Sequence, residues 1–359
     1  MHLKDLGISK VQLAESKALA DDYPDAVCAR VIRQDRERFQ LQTEHLVLSA
    51  EVSGKFRHEA AQSSEFPVVG DWVFVSPRVE ERAGTIRAVL TRKGAFSRKV
   101  PGDVTREQVI VSNIDVAFLV SGLDNDFNLR RIERYVTTAW NSGALPVIVL
   151  NKVDLAENRD ELQASVEDVA PGVDVICVSA LNGSGIQQIR TYMMSGTTAV
   201  LLGSSGAGKS TLINALSGEE IVKTADVRED DSRGRHTTTH REMIFLPGGG
   251  MIIDTPGMRE LQLWTDTDAI GESFSEIDSL AADCRFKNCS HESEPGCAIQ
   301  AALESGDLDQ SRFDSFLKLR KEAAWLDRRK AESTFEVRKH DKSLGKLYKS
   351  IQKGNRKLK

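Results

Sequence analysis

Residues 199–216 read AVLLGSSGAGKSTLINAL. An apolar run ends at Gly203, and Gly208, Lys209 and Ser210 follow at the spacing G-x-x-x-x-G-K-[ST], opening a helix-like segment. Glycines let the backbone turn tightly enough to aim successive N–H groups at phosphate oxygens, and the following helix adds the positive end of its dipole. Gly203, Ser204, Ser205, Gly206, Ala207, Gly208, Lys209, Ser210 and Thr211 are therefore expected to cradle phosphates. Lys209 is expected to reach the β- and γ-phosphates, and the Ser210 hydroxyl to bind magnesium. Strand, loop and helix in that order call for an α/β sheet with the loop at its carboxyl edge.

Upstream, VIVLNKVDL (147–155) places Asn151, Lys152 and Asp154 in an N-K-x-D pattern at the end of another apolar run. A carboxylate there can accept from the N1–H and the 2-amino group of guanine, a donor pair that adenine lacks. VICVSALNGSG (175–185) brings Ser179 and Ala180 to a further strand end, where their backbone can support the base. In ordinary GTPases the phosphate loop precedes these motifs; here Asn151 and Ser179 precede Gly203. The order is circularly permuted, which a compact α/β domain with neighbouring termini tolerates.

Downstream, GMIIDTPG (250–257) carries Asp254, expected to hold magnesium through water, and Gly257, whose N–H is expected to meet a γ-phosphate. Between the two phosphate motifs lies RGRHTTTHRE (233–242), polar and poor in core residues, a candidate mobile switch. Thr238 is the choice for the magnesium-coordinating threonine, with Thr237 and Thr239 one position away on either side. Met258 follows Gly257, where many GTPases place a glutamine that orients water; an aliphatic side chain cannot do that. His236 is the nearby polar group assigned to catalysis together with Lys209 and Thr238, and slow intrinsic hydrolysis is expected.

The remaining chain is modular. Its 359 residues, 40% hydrophobic and 28% charged, suit two or three ordinary globular domains rather than a disordered or membrane class. The start MHLKDLGISK lacks a secretory signal, so a cytoplasmic protein without a membrane partner is expected. FQLQT, HLVLSAEV, GDWVFVSP and GTIRAVLTR read as short strands between turns, a small barrel over about 36–105, after an N-terminal extension (1–35) whose AVCARVIR segment is a candidate start for the first strand, so that the boundary is soft. Strand count alone does not separate an oligonucleotide-binding barrel from other small barrels. Continuous apolar strands alternating with helical segments then mark a parallel, doubly covered sheet over 106–275.

Cys284, Cys289, His291 and Cys297 follow at the spacing C-x₄-C-x-H-x₅-C. Three thiolates and an imidazole make a closed tetrahedral site suited to structural zinc, in a mostly helical domain over 276–335. Cys28 and Cys177 stand alone in apolar surroundings. The net charge is −5, yet residues 338–359 hold nine Lys or Arg and one Asp. This basic tail (336–359) is expected to favour a phosphate backbone in a salt-dependent way.

NKVD, VSALNGSG, GSSGAGKST, GRHTTTHRE and DTPGMREL, with the cysteine-histidine cluster behind them, resemble the RsgA (YjeQ) family of circularly permuted small-ribosomal-subunit biogenesis GTPases over roughly residues 36–330. The resemblance implies an N-terminal oligonucleotide-binding (OB-fold) barrel, a central P-loop GTPase domain and a C-terminal zinc domain. It implies GTP/GDP, Mg²⁺ and Zn²⁺ as ligands, and the small ribosomal subunit with its ribosomal RNA as partner, bound as a monomer, with turnover stimulated by the subunit. The family's catalytic histidine lies in the switch that matches His236. A non-catalytic, guanine-nucleotide-binding RNA scaffold is the alternative that the absent glutamine leaves open, and a kinase using ATP would have no use for NKVD.

Overall fold

The structure, a computed structural model, describes residues 1–320 other than 36, 61, 100–106, 125, 223–240, 255–273, 287–288, 292–293, 311, 315 and 318–319. The expected site residues His236, Thr238 and Gly257, with Thr237, Thr239 and Met258, lie outside the described residues, as does the basic tail. The chain forms two compact units, Met1–Arg98 with Glu107–Leu263, and Lys99–Arg106 with Trp264–Lys359.

The first unit begins with helix α1 (Lys10–Leu19), started by a capping box between Ser9 and Gln12. Strands β1 (Val27–Asp35), β2 (Arg38–Gln42), β3 (Val47–Val52), β4 (Trp72–Arg78) and β5 (Ala83–Val89) follow, with the short helix α2 (Gly54–Glu59) between β3 and β4. β1 pairs with β2, β2 with β3, β3 with β5, β5 with β4, and β4 returns to β1; only the β3–β5 pair is parallel. This ring is the five-stranded Greek-key barrel of the oligonucleotide-binding type. On β3, Leu48, Ala50 and Val52 turn inward while their neighbours face out. β1 lies inside the stretch expected to be an extension, so the barrel sheet starts before residue 36. Its Arg30, Arg33 and Gln34 interrupt the apolar pattern by which a strand is recognised.

After a two-stranded pair, β6 (Ala95–Lys99) and β7 (Glu107–Ser112), come β8 (Val116–Gly122), β9 (Leu145–Asn151), β10 (Asp174–Cys177), β11 (Thr198–Leu202), β12 (Arg241–Phe245) and β13 (Met251–Asp254). β10-β9-β8-β11-β13 form a parallel sheet in that spatial order, with β12 antiparallel beside β13. Both faces are covered. Leu119, Ile148, Leu150, Val200 and Leu202 pack with Ile132 and Val136 of α3 (Leu129–Asn141) and Val166 of α4 (Arg159–Val169). Phe118, Val120, Val147, Val149 and Leu201 pack instead with Ile189 of α5 (Ile186–Arg190) and Leu212, Ile213 and Leu216 of α6 (Lys209–Ser217). Burial on two faces is why these strands are apolar through their middles, with polar residues such as Asn151 and Asp254 kept to their ends.

β12 also pairs with barrel strand β1, through Arg33 opposite Glu242 and Gln34 opposite Arg241, making one eleven-stranded sheet. A buried polar network ties the same junction. Asp71, fully buried, accepts from Arg92 at 2.8 Å and from the Ser112 hydroxyl at 2.5 Å. Buried Arg30, whose pKa burial pushes down to about 10 against the pull of Asp115 and Asp71, donates to the carbonyls of Leu6, Gly70 and Asn113. Gln12 of α1 donates to the Asn113 side chain at 3.0 Å, so the N-terminal helix is stitched to the junction.

The second unit contains α7 (Ser275–Ala282) and α8 (Ala298–Ser305), with Phe274, Ile277, Ile299, Ala302, Leu308, Phe313 and Phe316 as a small core. Among the described residues, no helix is long and apolar enough to cross a membrane.

Candidate functional site

β9, β8 and β11 are adjacent and parallel, so the loops leaving their carboxyl ends share one edge. The loop after β11 is Gly203–Gly208, and α6 starts at Lys209. A side chain at Gly203 would put its Cβ 2.3 Å from the Val120 carbonyl oxygen; at Gly208, φ is +90° and a Cβ would fall 2.2 Å from the Asn151 amide nitrogen. Both positions demand glycine because neighbouring backbone and side chain already fill the space. The Lys209 ammonium folds over the loop, donating to the carbonyls of Gly203 at 2.9 Å and Ser204 at 2.5 Å. Ser205 and Gly206 are exposed, Ala207 is buried, and Ser210 and Thr211 are half-buried in the first turn of α6.

Asn151 ends β9 and is buried. Its side-chain amide donates to the Ala207 carbonyl at 2.9 Å, and its side-chain oxygen accepts from the Ala180 N–H, also at 2.9 Å. One amide therefore joins the three motifs that the sequence sets far apart. Lys152 next in the chain takes a left-handed conformation (φ +65°), turning it into the short 3₁₀ turn Val153–Leu155 that presents Asp154. Asp154 is exposed on that turn, open to a ligand, whereas Ser179 and Ala180 are buried. The Ser179 loop is braced by its own N–H and that of Gly183, which donate to Ser184 and Ser179 carbonyls.

Asp254 closes β13, the neighbour of β11, on the same sheet edge, where it is half-buried. Two acidic residues that the motif reading did not single out also belong here. Asp124 and Asp126 lie on the loop between β8 and α3, paired with Lys152 at 2.5 Å and with Arg131 at 3.0 Å. Burial works against the Asp124 carboxylate, but the Lys152 hydrogen bond, the Asp126 N–H and the Lys152 charge outweigh it and hold its pKa below the ordinary carboxylate value. The clue in the sequence was an acidic GLDND segment directly after an apolar strand, ahead of a helix-capping Asn128.

In the second unit, the ligand atoms of Cys284, Cys289, His291 and Cys297 all lie within 4.8 Å of one another. Cys284 and Cys297 sulfurs are 3.9 Å apart, and His291 Nδ1 is 3.6 Å and 3.5 Å from them. A tetrahedral zinc with ordinary bond lengths sets sulfur–sulfur edges of about 3.8 Å and sulfur–nitrogen edges of about 3.6 Å. The donor set thus fits a tetrahedral metal ion. His291 adopts φ +65°, and Gln300 holds its carbonyl at 2.5 Å. Burial, then the positive Arg320, lowers the imidazole pKa, which favours the neutral form a metal binds.

Comparison with known proteins matches residues 89–264 to the model of the RsgA GTPase family. Small ribosomal subunit biogenesis GTPase RsgA 1 of Oceanobacillus iheyensis is 47% identical over 318 residues, covering 88% of this chain and 91% of that relative. Small ribosomal subunit biogenesis GTPase RsgA of Opitutus terrae is 47% identical over 310 residues, covering 84% of each. Among solved structures, the fold resembles YjeQ from Thermotoga maritima, with TM-score 0.64, 24% identity and coverage of 83% of this chain and 99% of that one. YloQ, described as a circularly permuted GTPase, gives TM-score 0.61 at 25% identity, covering 83% and 95%.

Proposed function

This chain belongs to the RsgA GTPase family, a family of GTP hydrolases, and from that premise we propose that it works on the small ribosomal subunit during late maturation, with the subunit accelerating turnover. The observation that carries the reading is the Asn151 amide, which bonds at once to the phosphate loop and to the Ala180 backbone. A single nucleotide can then touch the base-reading and phosphate motifs together.

In this reading Asp154 accepts from guanine N1–H and the 2-amino group, and Ser179 and Ala180 support the base by their backbone. An adenine would leave the carboxylate without its donors, and sites built to hydrogen-bond a substrate reject analogues lacking those groups by roughly 10⁴ or more. Lys209 leaves its two loop carbonyls for the β- and γ-phosphates, and the Ser210 hydroxyl, Thr238 and, through water, Asp254 would hold magnesium. The ion, when bound there, would supply positive charge to the transferred phosphoryl oxygens. His236 orients the attacking water in place of the glutamine that Met258 replaces, and the Gly257 N–H meets the γ-phosphate.

Zinc is the metal proposed for Cys284, Cys289, His291 and Cys297, with a structural role, since four protein ligands leave no open position. The barrel is the surface for ribosomal RNA, and the basic tail adds backbone contacts. The domain limits that accompany this reading are a barrel beginning at Val27, a GTPase domain ending at Leu263, a zinc domain starting at Trp264 and a tail over 336–359, in a cytoplasmic monomer.

The test is GTP hydrolysis by the full chain, titrated with purified small subunits. Slow turnover alone, rising with subunit and falling in a His236→Ala variant, is the expected outcome. Tight GTP binding with no hydrolysis at any subunit concentration would favour a scaffold that uses nucleotide only for its fold.

A further inference from the structure

The two carboxylates on the β8–α3 loop are not part of the N-K-x-D or phosphate-loop motifs, yet each reaches into one of them. Topology puts both within reach: β8 lies between β9 and β11, parallel to both, so its loop emerges between theirs. Gly122 pairs with Asn151 in register, and the Leu123 N–H donates to the Asn151 carbonyl at 2.8 Å. We infer that Asp124 and Asp126 are positioning residues of the nucleotide site, Asp124 holding Lys152 of the base-reading turn and Asp126 holding Ser204 of the phosphate loop. The inference rests on the guanine-nucleotide reading above.

The contacts are direct. Lys152 Nζ donates to Asp124 Oδ2 at 2.5 Å, and the Ser204 hydroxyl donates to Asp126 Oδ2. The loop that carries both acids is itself built in place. The Asp126 N–H donates to Asp124 Oδ1 at 3.2 Å, the Phe127 N–H to the Asp124 carbonyl at 3.0 Å, and Asn128 caps α3 through the Arg131 N–H at 3.0 Å. Gly122 leaves the space that Asp124 uses, since a Cβ there would sit 2.9 Å from Asp124 Oδ1.

Electrostatics explain why acids are tolerated beside a phosphate loop. Unpaired carboxylates would repel phosphates, but here each has its own cation, Lys152 for Asp124 and Arg131 for Asp126. They act on protein groups and not on the ligand. Lys152 is a non-glycine residue in the left-handed region, a conformation that must be held by its surroundings. The charge-assisted bond to Asp124 supplies that hold at the residue two positions before Asp154. Because GDP and GTP share the base, loosening this corner weakens both alike.

The experiment titrates fluorescent GDP and a non-hydrolysable GTP analogue onto the full chain and its Asp124→Asn, Lys152→Met and doubly substituted variants, alongside GTP turnover. Each single change is expected to weaken both nucleotides about tenfold, raising KM with kcat unchanged, and the double variant to be no weaker than the poorer single one. Asp124→Glu, which keeps the charge, is expected to bind better than Asp124→Asn, and Asp126→Ala with Ser204→Ala to show the same non-additivity. Wild-type affinity in Asp124→Asn, losses that multiply in the double variant, or equal losses in the Asn and Glu variants would each overturn the inference. Failure of the wild type to select guanine over adenine would instead overturn the reading on which it rests.

Discussion

The side-chain amide of Asn151 donates to the backbone carbonyl of Ala207 at 2.9 Å across fifty-six residues of sequence. This contact shows why a permuted chain keeps a working site: the order of β9 and β11 along the chain is irrelevant once both sit in one parallel sheet on either side of β8. Asn151→Ala removes this bond and the one from Ala180, leaving two buried backbone groups without their partner, at roughly 1–3 kcal/mol each. Nucleotide affinity is expected to fall on the order of a hundredfold, read by fluorescent-GDP titration, with a lower melting temperature. Unchanged affinity would separate the base-reading and phosphate motifs.

Metal removal should act on one unit only. Structural zinc contributes on the order of 10 kcal/mol to small metal-bound domains, more than the core around Phe274 and Phe316 is expected to replace. Chelation is therefore predicted to abolish hydrogen-exchange protection around Cys284–Cys297 while guanine-nucleotide binding persists. Protection that survives chelation would argue against a metal there.

The depressed Asp124 pKa makes a pH prediction. A carboxylate favoured in its charged form by folding stabilises the protein fully above its unfolded pKa of about 3.9, and that contribution is lost as pH falls through the lower folded value. The stability difference between wild type and Asp124→Asn, measured by denaturant unfolding, should be constant near neutrality and shrink as the solution becomes more acidic than that. A difference independent of pH down to acid would rule out the Lys152 pairing as its source.

At the barrel junction, Asp71→Ala takes the shared carboxylate from the buried Ser112 hydroxyl and Val68 N–H, while Arg92 keeps the carbonyls of Ser64 and Phe66. Leaving those two buried donors without an acceptor is expected to destabilise the first unit by roughly 1–3 kcal/mol. Calorimetry of the full chain reads this as an earlier transition for the unit that holds both barrel and GTPase sheet. An unshifted transition would mean that the network contributes nothing to the junction.

The chemistry was more legible than its supports. The phosphate loop, N-K-x-D and the cysteine-histidine cluster announce themselves because phosphate, guanine and metal constrain residue type and spacing locally. Most barrel strands follow from short apolar-rich runs set between turn residues. β1 was legible only as a soft boundary, since its Arg30 is a buried cation whose partners, the carbonyls of Leu6, Gly70 and Asn113, come from distant segments. The joining of β12 to β1, and the roles of Asp124, Asp126 and Asp71, depend on long-range pairing that no local pattern encodes.

In the proposed site, Asp154 and Lys209 serve one bound nucleotide. Replacing Asp154 by Asn presents an amide whose oxygen accepts from N1–H and whose nitrogen donates to the 2-carbonyl of xanthine, where guanine instead has a 2-amino donor. Competitive binding of GTP against XTP should therefore reverse, by on the order of 10³ or more, and adding Lys209→Ala should weaken whichever nucleotide is preferred. An Asp154→Asn variant that still prefers GTP, or an XTP affinity indifferent to Lys209, would contradict the account.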